Sequence, residues 1–354
     1  MEPRQVTIAV DAMGGDFAPR AVVDGSVAAA MEGARVALVG DERQIEGELA
    51  RRAPSAEVAG RLSIVHADQV VAMEERATAV LKKPGASVRV CAELVKSGVA
   101  RAMVGAGNTG AAMIAAKQVL GTLPGVDRPA LAGVFPNPKG RTVLLDVGAH
   151  LGAKPTHLRQ FAVMGHFYAQ EILGTPAPRV GLLSVGEEEG KGPELVREVY
   201  RVLEETGLNF VGNVEGRDVF RGTVDVIVCD GFVGNVVLKT SESLAAYLGS
   251  LIQRELTASM RSRLGYGLAK PALDNFRRQT DWAERGAAPL LGVGAGCFIG
   301  HGRSSARAIK NAIFRAREFC AAELDSKIRR KVAELHDREA RLEALADAQA
   351  ETVS

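Results

Sequence analysis

Aromatic residues are scarce in this 354-residue chain, at 5% of the total with a single tryptophan, Trp282. A binder of single-stranded nucleic acid needs stacking platforms that this composition does not supply. Charge of one sign is also lacking. The formal net charge of +2 offers no global attraction for a polyanion, so no nucleic-acid partner is expected. The four cysteines, Cys91, Cys229, Cys297 and Cys320, form no C-x-x-C pair. They read as core residues of a cytoplasmic protein in a reducing compartment. The six histidines are dispersed, with no H-x-x-x-H and no cysteine at ligand spacing, so no metal and no other cofactor is expected. A G-x-S-x-G nucleophile elbow is absent. So is any long hydrophobic run: residues 287–300 are too few and too glycine-rich to cross a bilayer. The first residues pass almost directly into a strand, without a basic-apolar-small leader.

What is present is glycine, 39 residues of it, in a chain that is 47% hydrophobic. That balance suits an α/β protein with many tight strand-to-helix turns. Short apolar runs predict strands at 6–10, 36–39, 62–65, 102–104, 130–135, 143–145, 180–185, 210–211, 224–228 and 297–299. Helical spacing separates most of them, at 87–96, 155–172, 193–205 and 304–321, with a further helix from about Pro19 and one capped by Asp41. Such alternation predicts a doubly wound, mostly parallel sheet with helices on both faces. Residues 1–321 read as one α/β domain. Within it, 241–285 break the alternation as a helical hairpin, interrupted by glycines and a proline across 261–271 and resuming at 272–280. The apolar face of the hairpin predicts a homodimer seam. The charged segment 322–354 has a thin stripe, Ile328, Val332, Leu335, Leu342 and Leu345, and reads as a solvated helical or disordered tail.

In parallel sheets ligands gather at the carboxyl ends of strands, and the polar clusters fall there. Gly105-Ala106-Gly107-Asn108-Thr109-Gly110 joins a strand to a helix, where backbone N–H groups and the helix dipole favour an anion. It matches G-x-G-x-x-G literally, yet Asp127, the acid at the right distance for a ribose, falls in a loop. A phosphate or acyl-group cradle fits better than a dinucleotide; a purely structural turn is the third reading. Asp11, Gly14 and Gly15 end the first strand, and Asp146, Glu215, Gly216, Asp230 and Gly231 end others. The run Gly186-Glu187-Glu188-Glu189-Gly190-Lys191-Gly192 is one residue short of a P-loop and lacks the following Ser or Thr, which argues against ATP. Lys191 between Gly190 and Gly192 still suits an anionic group, or else a solvated turn. His301-Gly302-Arg303-Ser304-Ser305 precedes a helix that Ser304 or Ser305 can cap, with or without an anion.

Several of these runs occur together and in order. Ile8 through Asp16, Gly107-Asn108-Thr109-Gly110-Ala111, the Lys191 run, Asn213-Val214-Glu215-Gly216-Arg217-Asp218, Cys229-Asp230-Gly231-Phe232 and Ala308-Ile309-Lys310-Asn311-Ala312-Ile313 resemble the bacterial phosphate acyltransferases of phospholipid synthesis. The resemblance covers about residues 6–321. It implies transfer of a long acyl chain from acyl carrier protein to inorganic phosphate. It also implies a fold like the isocitrate dehydrogenase and phosphate acetyltransferase group, in a cytosolic homodimer that associates peripherally with membrane. On that basis Lys191 is assigned to charge neutralisation, Gly107 through Gly110 to phosphate amides, and Asn108, Thr109 and Asn213 to polar orientation. Phosphate dianion is itself a nucleophile and a thiol of pKa about 8.5 a tolerable leaving group, so direct attack without an acyl-enzyme is expected. Leu264, Tyr266 and Leu268, set among basic residues at the hairpin tip, suit an anionic lipid surface; the same cations also suit the acidic carrier protein or a solvated dimer hairpin.

Overall fold

Strands and helices alternate along the chain as the sequence predicts, but the strands are shared between two sheets. The computed structural model describes residues 6–148, 152–280, 286–322 and 324–353. One sheet holds β1 (Thr7–Asp11), β2 (Arg35–Gly40), β3 (Leu62–His66), β4 (Ala102–Gly105), β5 (Ala130–Leu131), β11 (Ala287–Leu291) and β12 (Gly296–Gly300), in the order β3-β2-β1-β4-β12-β11-β5. The other holds β6 (Gly133–Asn137), β7 (Gly140–Leu145), β8 (Val180–Leu183), β9 (Phe210–Val214) and β10 (Val226–Val228), in the order β6-β7-β10-β8-β9. Pairing is parallel except where β11 meets β12 and β5, and where β6 meets β7.

The helices are α1 (Arg20–Met31), α2 (Glu42–Arg52), α3 (Ala56–Ala59), α4 (Ser87–Lys96), α5 (Thr109–Leu120), α6 (Pro155–Glu171), α7 (Glu194–Glu204), α8 (Gly231–Thr257), α9 (Met260–Thr280), α10 (Ala306–Ala321) and α11 (Leu324–Val353). Successive strand residues enter opposite cores, as the pleat requires. Ile8, Val10, Val143 and Leu145 join one apolar cluster, while Ala9, Met103, Leu144 and Ile227 join the other. Each cluster therefore runs under both sheets, and helices cover both faces, as expected of the doubly wound class.

Four places differ from the sequence-based expectation. The run 130–135 is two strands, because the chain leaves the first sheet at Ala132, whose N–H is held by the Pro289 carbonyl (2.9 Å). Residues 287–291 form a strand despite Pro289, since the two-residue β5 demands few ladder bonds of that edge. The hairpin helices are longer than expected. Asp230 caps α8 at Gly231, and α9 runs on through Gly265, Gly267 and Pro271 while folding back along α8.

The fourth difference is α11. Leu324, Ile328, Val332 and Leu335 are buried, and the helix lies against α6. Lys327 pairs with Glu171 (2.6 Å) and an Arg338 guanidinium N–H reaches the Glu205 carbonyl (2.7 Å). The thin stripe thus serves as a docking face, each apolar side chain contributing about 1.5–3 kcal/mol. Leu342 and Leu345 lie outside the described side chains. Among the described residues, no helix is long and apolar enough to cross a membrane.

Candidate active site

Three strand ends of the first sheet converge. β1 finishes on Asp11, which is buried; its Oδ1 accepts the Met13 N–H at 3.1 Å and its carboxylate also bonds the Ser87 hydroxyl at the start of α4. Burial raises the Asp11 pKa, opposed by those bonds and one from the Gly14 N–H. Gly14 is needed for close approach. A Cβ there would stand 2.6 Å from Asp11 Oδ2 and 2.8 Å from the Gly107 nitrogen. Gly15 has φ +107°, a region that side chains disfavour. The next N–H, of Asp16, is held by the Gly302 carbonyl at 2.8 Å. The β1, β4 and β12 loops are thereby locked backbone to backbone.

Asn108 is the N-cap of α5. Its Oδ1 accepts the Ala111 N–H at 3.0 Å, and its Nδ2 donates to the Glu75 carbonyl at 2.9 Å, with the Ala72 and Met73 carbonyls at 3.3 and 3.4 Å. Thr109 is exposed at the first helical position, and Gly110 follows with Ala77 packed against its α-carbon. The N–H groups of Thr109 and Gly110 belong to the first turn, which has no intrahelical acceptor for them.

Beyond β12, His301 Nδ1 accepts the Arg303 N–H at 3.0 Å, which leaves the proton of a neutral ring on Nε2. Burial lowers the His301 pKa and the nearby Lys239 on α8 lowers it further, so the ring is neutral at pH 7. Ser304 is buried with its hydroxyl on the His301 carbonyl (2.6 Å); Ser305 is the residue that caps α10. Lys239, paired with Glu242 on α8 (2.9 Å), lies near enough to His301 for its charge to be felt, so the second sheet's long helix reaches the edge of this cluster.

The second sheet contributes two further groups. Asp146, expected among the ligand contacts, is fully buried and holds the backbone N–H of Leu131 (2.9 Å) and Gly148 (2.8 Å). As placed, it shapes the edge and has no surface to offer a ligand. Asp230 Oδ1 accepts the Phe232 and Val233 N–H groups (2.9 and 3.1 Å), so its carboxylate is engaged in capping α8, whose first residue is Gly231. The remaining group lies beyond β8 and β9. Lys191 is exposed in the loop 184–193, with its N–H on the Glu188 carbonyl and its carbonyl accepting the Ser184 hydroxyl. Asn213 Nδ2 donates to the Glu188 carbonyl at 2.8 Å, fixing the same loop between Gly190 and its neighbours, and Gly192 has φ +98°. Asn213 Oδ1 is buried and has no partner among the described residues. Arg217 bridges Glu187 (2.8 Å) and Glu215 (2.9 Å), with Gly216 exposed between them.

The sequence-derived candidates thus fall in two clusters. Asp11, Gly14, Gly15, Gly107, Asn108, Thr109, Gly110, His301 and Ser304 surround the start of α5, while Lys191, Asn213 and Glu215 belong to the far strands of the second sheet. The cysteines supply no nucleophile. Burial raises Cys91 and Cys229 well above the usual thiol range, Cys297 to about 12 and Cys320 to about 11. Sequence reasoning missed the segment 72–83, which reaches the site through Asn108, Gly110 and Gly302, and missed Lys239, eight residues into a helix expected to begin later.

The chain is similar to a phosphate acyltransferase of Pelotomaculum thermopropionicum, 51% identical over 92% of this chain and 94% of that protein. It is similar to another of Aquifex aeolicus, 50% identical over 91% and 95%. Among solved structures, a phosphotransacetylase from Streptococcus pyogenes shares the fold with a TM-score of 0.58 at 17% identity, covering 88% of this chain and 93% of that one. The EutD phosphotransacetylase from Staphylococcus aureus does so at 0.57 and 14%, covering 90% and 95%. Residues 6–327 match the family described as fatty acid synthesis protein, and the chain belongs to that family.

Proposed function

We propose that this protein is an acyltransferase that moves an acyl group from a thioester to inorganic phosphate. The observation that carries the reading is the locked cluster of β1, β4 and β12 loops around the first turn of α5, which presents main-chain N–H groups to an anion. Relatives about half identical over nine-tenths of the chain are named phosphate acyltransferases. Bound hydrogen phosphate attacks the thioester carbonyl carbon through one oxygen. The C–O bond forms, the C–S bond breaks, and the proton of hydrogen phosphate ends on the departing sulfur. Acyl phosphate and a thiol result.

The protein's part is to align the two reactants, offset charge and stabilise the oxyanion. Thr109 and Gly110 amides hold phosphate, Lys191 offsets its charge, and Asn213 places the Lys191 loop. Buried cysteines support direct transfer without an acyl-enzyme. The donor we favour is a long-chain acyl carrier protein thioester, with phospholipid synthesis as the destination of the product. Two α8–α9 hairpins form the homodimer seam, consistent with the exposed Leu244, Tyr247 and Leu248 along α8. The hairpin turns at 258–259, between α8 and α9, so Tyr266 and Leu268 lie on α9 about two turns beyond the tip where the sequence placed them. This stretch of α9, with Leu268 88% exposed and Tyr266 half-buried, touches the membrane peripherally from the cytoplasm. Leu264, the third residue of that expectation, lies outside the described side chains.

Incubation with phosphate and either a long-chain carrier-protein thioester or a short-chain coenzyme A thioester tests the reading. Acyl phosphate from the first supports it. Product only from the second reassigns the donor. A chain-bonded acyl group trapped on the protein during turnover overturns direct attack.

A further inference from the structure

The segment 72–83 forms a strap across the first cluster, and the chemistry assigned so far leaves it without a task. Asn108 Nδ2 holds it through the Glu75 carbonyl (2.9 Å). The Glu75 carboxylate closes it on itself, accepting the Ala72 N–H (2.7 Å) and pairing with Lys83 (2.7 Å). So fastened, the strap sets Met73 over Gly302, whose missing side chain leaves room for the Met73 methyl; a Cβ there would come within 2.7 Å of it. The Gly302 carbonyl in turn holds the Asp16 N–H, beside Phe17. Met73 and Phe17 are 41% and 52% exposed, two large apolar side chains at the rim of a cluster otherwise made of backbone amides and polar groups. What distinguishes Met73 is its place, against Gly302 and beside the first turn of α5 where the phosphate is assigned, and methionine adapts its shape to a flexible chain.

We propose that the strap is the wall that seats the acyl chain beyond its first two carbons, with Met73 as its contact and Asn108 as the positioning residue that fastens it. This rests on the acyl-transfer reading above and adds where the acyl part lies. Asn108, with Oδ1 on the helix cap and Nδ2 on the strap, acts through Met73 rather than on phosphate.

The test compares wild type with Met73→Ala, Asn108→Ser and Glu75→Gln. Serine keeps the helix cap while removing the donor to the strap. Each variant is expected to raise KM for a palmitoyl thioester about tenfold, with KM for phosphate within about twofold and KM for an acetyl thioester little changed. Asn108→Ser and Glu75→Gln are also expected to speed tryptic cleavage after the exposed Arg76 several-fold. A non-hydrolysable palmitoyl thioether is expected to slow that cleavage in wild type, and phosphate alone is not. An Asn108→Ser variant whose KM rises for phosphate instead, or a thioether that gives no protection, overturns the strap assignment. Wild type that protects Arg76 with the thioether yet forms no acyl phosphate sinks the acyl-transfer reading while leaving the apolar seat standing.

Discussion

Asp146 Oδ1 accepts the Leu131 N–H at 2.9 Å, and that bond joins the end of β7 in one sheet to β5 in the other. The same oxygen takes the Gly148 N–H at 2.8 Å. Removing the carboxylate strands two buried donors, each costing about 1–3 kcal/mol. Asp146→Ala is therefore expected to lower the unfolding free energy by roughly 2–5 kcal/mol in a denaturant titration, and to impair activity through the shape of the edge. Asp146→Asn, which keeps an acceptor in place, is expected to lose less. Equal losses in the two variants contradict this role.

Gly14 separates the Asp11 carboxylate from the Gly107 backbone by less than a methyl group allows. Gly14→Ala must push the β1 and β4 loops apart, a strain of about 1–3 kcal/mol. Because those loops frame the first turn of α5, KM for phosphate is expected to rise at least about tenfold, more than KM for the thioester. Steady-state kinetics with each substrate varied in turn gives the comparison. An unchanged phosphate KM moves the anion elsewhere.

Lys191 is exposed, and its loop is fixed by main-chain contacts and by Asn213. Lys191→Ala should leave the melting temperature unchanged while reducing turnover on the order of a hundredfold. Arginine at 191 should recover part of the rate, since the charge returns with different geometry. A wild-type rate in the alanine variant removes Lys191 from the chemistry.

The features legible in the sequence were those whose signals are local. Asp41 caps α2 through the Gln44 N–H, and the strand-ending glycines mark the loops that meet at the first cluster. Alternating apolar runs and helical spacing gave the α/β class for the same reason. Where the sequence was silent, the determining partner is far along the chain. Asp146 looks like any polar residue after a strand until Leu131, fifteen residues away, is seen beside it. Asn108 looks like a free polar side chain until Glu75, thirty-three residues away, is seen to accept from it. The switch between sheets at Ala132 falls within one apolar run, and the end of one strand and the start of the next carry no separate sign. The stripe on α11 was visible, but α6, the surface that buries it, was not.

Asp325 sits in the first turn of α11, where burial pushes its carboxyl up to about 6, with Arg329 opposing the rise. The folded state therefore holds this proton more tightly than the unfolded chain, whose carboxyl titrates near 3.8. Between those values the native state binds more protons, so stability falls as pH rises through the window from about 4 to 6. Above it, the full cost of a poorly solvated carboxylate remains, on the order of 3 kcal/mol. Docking of α11 on α6 is consequently expected to tighten on mild acidification, until other carboxylates protonate. Hydrogen exchange of the α11 amides at pH 5 and pH 7, corrected for intrinsic rates, measures this directly. Asp325→Asn removes the charge, and it should raise stability at pH 7 and flatten the dependence across the window. Protection that instead increases from pH 5 to pH 7 in wild type means that the Asp325 charge is stabilised where it lies, by Arg329 more than burial penalises it.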